Sequence, residues 1–171
     1  MIRRPPRSTH CISSAASDVY KRQALAATTS KELVENRGHK VEGIESLPLI
    51  ISDDIEKISK TSELIKVIDD LKITQDTDRL KNRKRRTGKV ALRGRVSKVG
   101  KSALFVVSKS DNISKAAASI PGIDVCDAKN LSVLNLAPGG TLIRLTVFTK
   151  KAIEEIAEIK SRHLELMVTL K

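Results

Sequence analysis

The chain has 171 residues, with 32 Lys or Arg against 20 Asp or Glu and a formal charge of +12. That length carries one domain with a proper core and is short for two. It holds no apolar run of about 18 residues that would make a transmembrane helix. Two Phe, one Tyr and no Trp leave little for aromatic platforms that stack single-stranded bases. Two distant cysteines, Cys11 and Cys126, fit neither a disulfide framework nor a zinc spacing and point to a reducing compartment.

Residues 1–23, MIRRPPRSTHCISSAASDVYKRQ, show no helical or strand period and carry a Pro5-Pro6 break. They lack the apolar stretch of a signal peptide, and their Arg- and Ser-rich makeup only superficially suits a transit peptide. The string closely resembles the product of translating sequencing-adapter DNA in frame. It is therefore expected to be non-native and disordered, standing where a genuine N-terminal region would be.

Globular patterning begins at Ala24. Residues 24–37 read as one helix with Leu25, Thr28 or Thr29, and Leu33 on a face, stopped by Arg37-Gly38-His39. Leu47 to Ile51 is a short apolar run, read as a buried strand. Ser52-Asp53-Asp54 caps a turn, and Ser59 or Thr61 opens an amphipathic helix with Leu64, Ile65, Val67, Ile68 and Leu71 as its apolar positions. A polar helix follows Gln75 and leads into a basic tract. Ala103 to Val107 is the second strand, Ile113 to Ser119 a small-residue helix, and Ile123 to Cys126 the third strand. Leu131 to Leu136 reads as a helix, Pro138-Gly139-Gly140 as a turn, Leu142 to Phe148 as the fourth strand and Lys151 to Ile159 as a closing helix. Short apolar strands alternating with helices predict an α/β fold, a mainly parallel sheet with helices on both faces.

The basic tract spans residues 79–101, RLKNRKRRTGKVALRGRVSKVGK, and holds eleven Lys or Arg without one acid. It accounts for nearly all of the formal charge, since residues 24–78 sum to −5 and residues 102–171 to +2. Such a ribbon calls for a polyanion, of which nucleic acid is the commonest; the plainer alternative is a solvated loop. Gly88, Gly94 and Gly100 divide the run into pieces able to follow an irregular phosphate surface. The candidate binding residues are Arg79, Lys81, Arg83, Lys84, Arg85, Arg86, Lys89, Arg93, Gly94, Arg95, Lys98 and Lys101. Arg93 and Arg95 set two guanidinium forks around a residue without a side chain, an arrangement suited to close phosphate contact. No recognition-helix, zinc-finger or basic-zipper pattern is present, which favours folded RNA over one groove of DNA.

Enzyme patterns are missing. Gly139-Gly140 belongs to neither a phosphate loop nor a dinucleotide fingerprint. Asp53-Asp54 sits where a helix start favours negative charge, and Asp69-Asp70 reads as a solvated face. His10, His39 and His163 are scattered, and a surface or capping role suits each better than metal ligation. No Ser or Cys is paired with a base by motif. The reading is a non-enzyme without cofactor, metal or small-molecule substrate.

Several motifs recur in one order: ALAAT (24–28), Arg37-Gly38-His39, LPLI (47–50), Lys60-Thr61, Asp78-Arg79, and Thr87-Gly88-Lys89 with Leu92-Arg93-Gly94-Arg95. Ile120-Pro121-Gly122-Ile123-Asp124-Val125, Asn130-Leu131, Leu136-Ala137-Pro138-Gly139, and Arg144-Leu145-Thr146 with Thr149 follow. Together they resemble the family of the fourth protein of the large ribosomal subunit, in its archaeal and eukaryotic form. The resemblance implies a three-layer α/β/α domain over residues 24–160 with a mainly parallel four-stranded sheet, truncated at its N-terminus and followed by a tail at 161–171. It implies a cytoplasmic structural constituent of the large subunit whose partners are large-subunit rRNA and other large-subunit proteins, with no membrane. The alternative reading is a regulatory RNA-binding protein acting on messenger RNA. The chain departs from the family at Ser119, at Val90-Ala91, and at Leu142-Ile143-Arg144, where a glycine-arginine pair is expected.

Overall fold

Short runs make the sheet, fully buried in its two central strands and partly exposed in its two edge strands, where Ile50, in the run expected to be a buried strand, is 56% exposed. In the computed structural model, which describes residues 19–81, 85–96, 100–140 and 143–159, they are β1 (Leu49–Ile51), β2 (Leu104–Val107), β3 (Asp124–Asp127) and β4 (Thr146–Thr149). The strands lie in the order β1-β4-β2-β3, every pair parallel. Phe105 of β2 stands opposite Val147 of β4 on one side and Val125 of β3 on the other.

Alternation along each strand divides the core. Phe105, Val107 and Val147 point to one face, where they meet Leu64, Ile68, Ile113 and Ala116 from the covering helices. Leu104, Val106 and Phe148 point to the other, against Ala24, Leu131, Leu136 and Ala152. This is the three-layer α/β/α arrangement expected from the sequence, and the parallel four-stranded sheet holds.

The helices are α1 (residues 19–27), α2 (Lys31–Asn36), α3 (Thr61–Asp70), α4 (Thr74–Lys81), α5 (Lys89–Leu92), α6 (Asp111–Ala117), α7 (Val133–Leu136) and α8 (Lys150–Glu158), with a 3-10 turn at Asp53–Lys57. The single helix expected over 24–37 is two. The Thr28 and Thr29 hydroxyls donate to the carbonyls of Leu25 and Ala26 at 2.6 and 2.8 Å, and these local bonds compete with helix continuation. Residues 19–23, expected to lie outside the fold, form the first part of α1. Tyr20-Lys21-Arg22-Gln23 contains no helix breaker, so the Ala-rich run propagates backward through it. Val19 and Tyr20 remain 51% and 62% exposed. Residues 1–18 and the 161–171 tail lie outside the described residues. In α3, Leu64 and Ile68 are buried, but Ile65 faces solvent. β4 begins at Thr146, after residues 143–145, which are not strand, and the expected start at Leu142 lies outside the described residues.

Candidate nucleic-acid interface

The basic tract leaves the body at the end of α4 and returns at Gly100, on the amino-terminal edge of the sheet. Its two ends are fastened together. Arg79 Nη2 donates to the Lys101 carbonyl at 3.4 Å. Leu80 fills the space left by two glycines, since a Cβ on Gly100 or Gly122 would lie 2.4 or 2.1 Å from its side chain.

Beneath this root is a buried polar network. Asp76 of α4 is fully buried and accepts from the His39 ring at 3.0 Å, the Lys40 amide at 3.1 Å, the Ser102 hydroxyl at 2.5 Å and Arg79 Nε at 3.1 Å. Burial pushes its pKa up, but the hydrogen bonds from His39 and Ser102 prevail and hold it below the ordinary carboxylate value. His39, expected at the surface or as a cap, is instead an interior partner of this carboxylate. Gly38 ends α2 as expected, and the turn after it feeds His39 inward.

Arg144 is 1% exposed, immediately before β4. Its guanidinium donates to the carbonyls of Ser102 (2.8 Å), Ala103 (2.9 Å) and Gly122 (3.0 Å) and to Asp124 Oδ2 at 2.6 Å. One side chain thus ties together the amino ends of β2, β3 and β4. Burial lowers its pKa, yet a guanidinium stays charged wherever the protein folds. Asp124 also receives Lys101 Nζ at 2.7 Å; burial raises its pKa, and the bonds from Lys101 and Arg144 bring it below the usual range.

The candidate cations therefore separate into two groups. Arg79, Lys81 and Lys101 each face an acid: Asp76, Asp78 and Asp124. The Arg79 pair, on the buried Asp76, braces the root, whereas the Lys81 and Lys101 pairs are exposed and contribute less. Arg85, Arg86, Lys89, Arg93 and Arg95 form no ion pair among the described residues. They project from a lobe in which every residue from 85 to 96 is exposed except the half-buried Ala91. Arg83, Lys84 and Lys98 lie outside the described residues.

The lobe has its own architecture, which its glycines had suggested would be loose. The Arg86 amide donates to the Val96 carbonyl at 2.9 Å and closes it. Inside, α5 ends in a Schellman motif: Gly94 N–H to Ala91 O at 3.0 Å and Arg95 N–H to Val90 O at 3.1 Å. Gly94 has φ +73°, and nothing lies within 4 Å of where its Cβ would be. The glycine between the two arginines is thus required by the turn.

At the carboxyl edge of the sheet, where α/β enzymes place their sites, the carboxylates are used as caps. Glu56 accepts from the Ser108 amide at 2.8 Å, Asp127 from the Ser110 amide at 3.0 Å and Asp53 from the Lys151 amide at 3.0 Å. The Ser108 hydroxyl is bound by Glu155. Among the described residues, no group of three or more His, Cys, Asp or Glu is placed to hold a metal ion.

Fold and site together define an α/β protein that holds a closed, unneutralised cationic lobe on a braced polar root. The chain belongs to the Ribosomal protein L4/L1 family, whose sequence model matches residues 6–159. It is 48% identical over 133 residues to the large ribosomal subunit protein uL4 of Sulfurisphaera tokodaii, covering 77% of this chain and 50% of that protein. The uL4 proteins of Methanococcus aeolicus and Methanocaldococcus jannaschii are 44% and 43% identical, over 78% and 80% of this chain and 53% and 54% of theirs. The chain spans about half the length of the curated relatives it matches.

Neither Asp76 nor Arg144 was singled out as a functional residue from sequence. For Arg144 a signal existed: an arginine inside the apolar run LIRLTVF must either face solvent or find buried acceptors. Asp76 carried no such signal, because its partners lie 26 and 37 residues away.

Proposed function

We propose that the chain is a structural constituent of the large ribosomal subunit, binding large-subunit rRNA through the lobe at residues 85–96, which its acid-paired root supports. One observation carries this reading. Among the described residues, five cations without acid partners stand on a lobe whose backbone is closed on itself, within a tract whose two ends, Arg79 and Lys101, are fastened to each other and to acids of the body. An unneutralised array costs self-repulsion and is stabilised by a polyanion. Arginine forks chelate phosphate, so a preformed set of them loses little entropy on binding. Membership of a family whose curated relatives are named as large-subunit proteins supports large-subunit rRNA as that polyanion. Residence in the cytoplasmic ribosome, beside other large-subunit proteins, follows from the same reading, and no catalytic role is assigned.

The test is retention on particles. Tagged chain expressed in an archaeal host should co-sediment with large subunits and remain through a high-salt wash that strips loosely bound basic proteins. Release by that wash, with the chain recovered on messenger RNA instead, would overturn the assignment in favour of a regulatory RNA-binding protein.

A further inference from the structure

We propose that the tip of the lobe recognises an unpaired base in RNA, with Leu92 acting as an apolar wedge among cations; this rests on the nucleic-acid reading above. Leu92 is 87% exposed, and Val90 and Val96 are 42% and 36% exposed beside it in the chain. Leu92 is the last residue of α5, one residue before the Schellman turn, and the Arg86–Val96 bond closes the lobe behind it. It is therefore presented on regular backbone instead of trailing in a loop. Among the described residues, none of the body covers it.

The surroundings decide what covers it when bound. Arg85, Arg86, Lys89, Arg93 and Arg95 flank the apolar tip, and no acid occurs anywhere from residue 79 to residue 110. A protein groove receiving this tip would have to be acidic around an apolar floor. Nucleic acid offers that combination inherently, with base faces for the leucine and phosphates for the cations. Apolar side chains enter nucleic acids where bases are already unstacked, and in RNA those places are bulges, loops and ends.

Two fluorescently labelled RNA hairpins of equal length, one with a single unpaired adenine in its stem and one fully paired, provide the test. The full chain should bind the bulged hairpin about tenfold more tightly at the same salt concentration. Leu92→Ala, an exposed change to a good helix former, should abolish that preference, with the loss confined to the bulged hairpin. A 2-aminopurine placed at the bulge should change its fluorescence with the parent chain and not with the variant. Equal affinity of the parent chain for both hairpins, or a preference that survives Leu92→Ala, would overturn the wedge while leaving phosphate binding intact. Failure of both hairpins to bind in a salt-dependent manner would remove the nucleic-acid reading itself. Loss of association with large-subunit proteins in Leu92→Ala, with both hairpins unaffected, would make the tip a protein contact and sink the proposal.

Discussion

Arg144 shows how much of this fold rests on a single buried charge. Its guanidinium satisfies three carbonyls from two segments and one carboxylate. Arg144→Met keeps much of the volume but strands those acceptors and leaves Asp124 with Lys101 alone. Each buried acceptor left unsatisfied costs about 1–3 kcal/mol, while the ion pair adds little because Asp124 is 37% exposed and keeps Lys101. Urea denaturation should show a loss of that order, and Arg144→Lys should recover only part, since an ammonium cannot reproduce the planar fork. Acid should attack the same region. Asp76 and Asp124 both titrate below their ordinary values in the folded chain, so the unfolded chain binds more protons. Their contribution is complete above the unfolded carboxylate pKa of about 3.9 and is lost as pH falls below it through the folded values. Melting temperature should be flat on this account from pH 7 to about 5 and drop below about pH 4, and Asp76→Asn should make that drop shallower. A melting temperature that ignores pH in this window would mean the network does not couple to folding. None of this was legible from sequence pattern, because it depends on which distant polar groups meet. The one visible trace was Arg144, misplaced inside an apolar run.

Elements, by contrast, were largely legible, and the reason is physical. A parallel strand is buried on both faces and so reads as a continuous apolar run, as LFVV does at Leu104–Val107, all four residues buried. Helix α3 announced itself by period, with Leu64 and Ile68 inside. What escaped were local conflicts decided by a few hydrogen bonds: the threonine break between α1 and α2, and the turn of helix inside the basic tract. Glycine there looked like freedom and turned out to be geometry. Gly94 and Gly122 make the distinction testable, since both have positive φ, +73° and +85°. Gly94 stands in open space on the lobe. Gly122 would drive a Cβ to 2.1 Å from Leu80 Cδ1 and 3.0 Å from the Gly100 carbonyl, at the root. Alanine in a left-handed conformation costs roughly 1–2 kcal/mol at either site. At Gly122 the collision adds to this, so Gly122→Ala should lower the melting temperature by several degrees or more. Gly94→Ala should leave melting nearly unchanged, because the lobe contributes nothing to the core, and should weaken RNA binding by unwinding the turn between Arg93 and Arg95. Equal thermal effects at the two positions would mean that lobe and body unfold as one unit.

At the scale of the whole molecule, charge is distributed by edge. Acids and bases interleave at the carboxyl edge of the sheet, where Asp53, Asp54, Lys57, Lys150 and Lys151 line a shallow cleft of about 360 Å³. The amino edge carries the lobe, and the acids there are already matched by root cations. The eleven cations of the tract are accordingly not equivalent, although its sequence made them look so. If the five unpaired ones each neutralise a phosphate, log affinity should fall against log salt with a slope of roughly −4, at about 0.7–0.9 per contact. Removing Arg93 or Arg95 should make the slope shallower by nearly one unit each. Lys101→Ala should act differently: it removes one of the two cations on Asp124, so stability should fall slightly while the salt slope stays close to that of the parent chain. Titrations at four salt concentrations, paired with thermal melts of the same variants, separate the two behaviours. If Lys101→Ala changes the slope as much as Arg93→Ala does, the root also releases counterions on binding. The division between a braced root and a binding lobe would then have to be abandoned in favour of one continuous electrostatic surface.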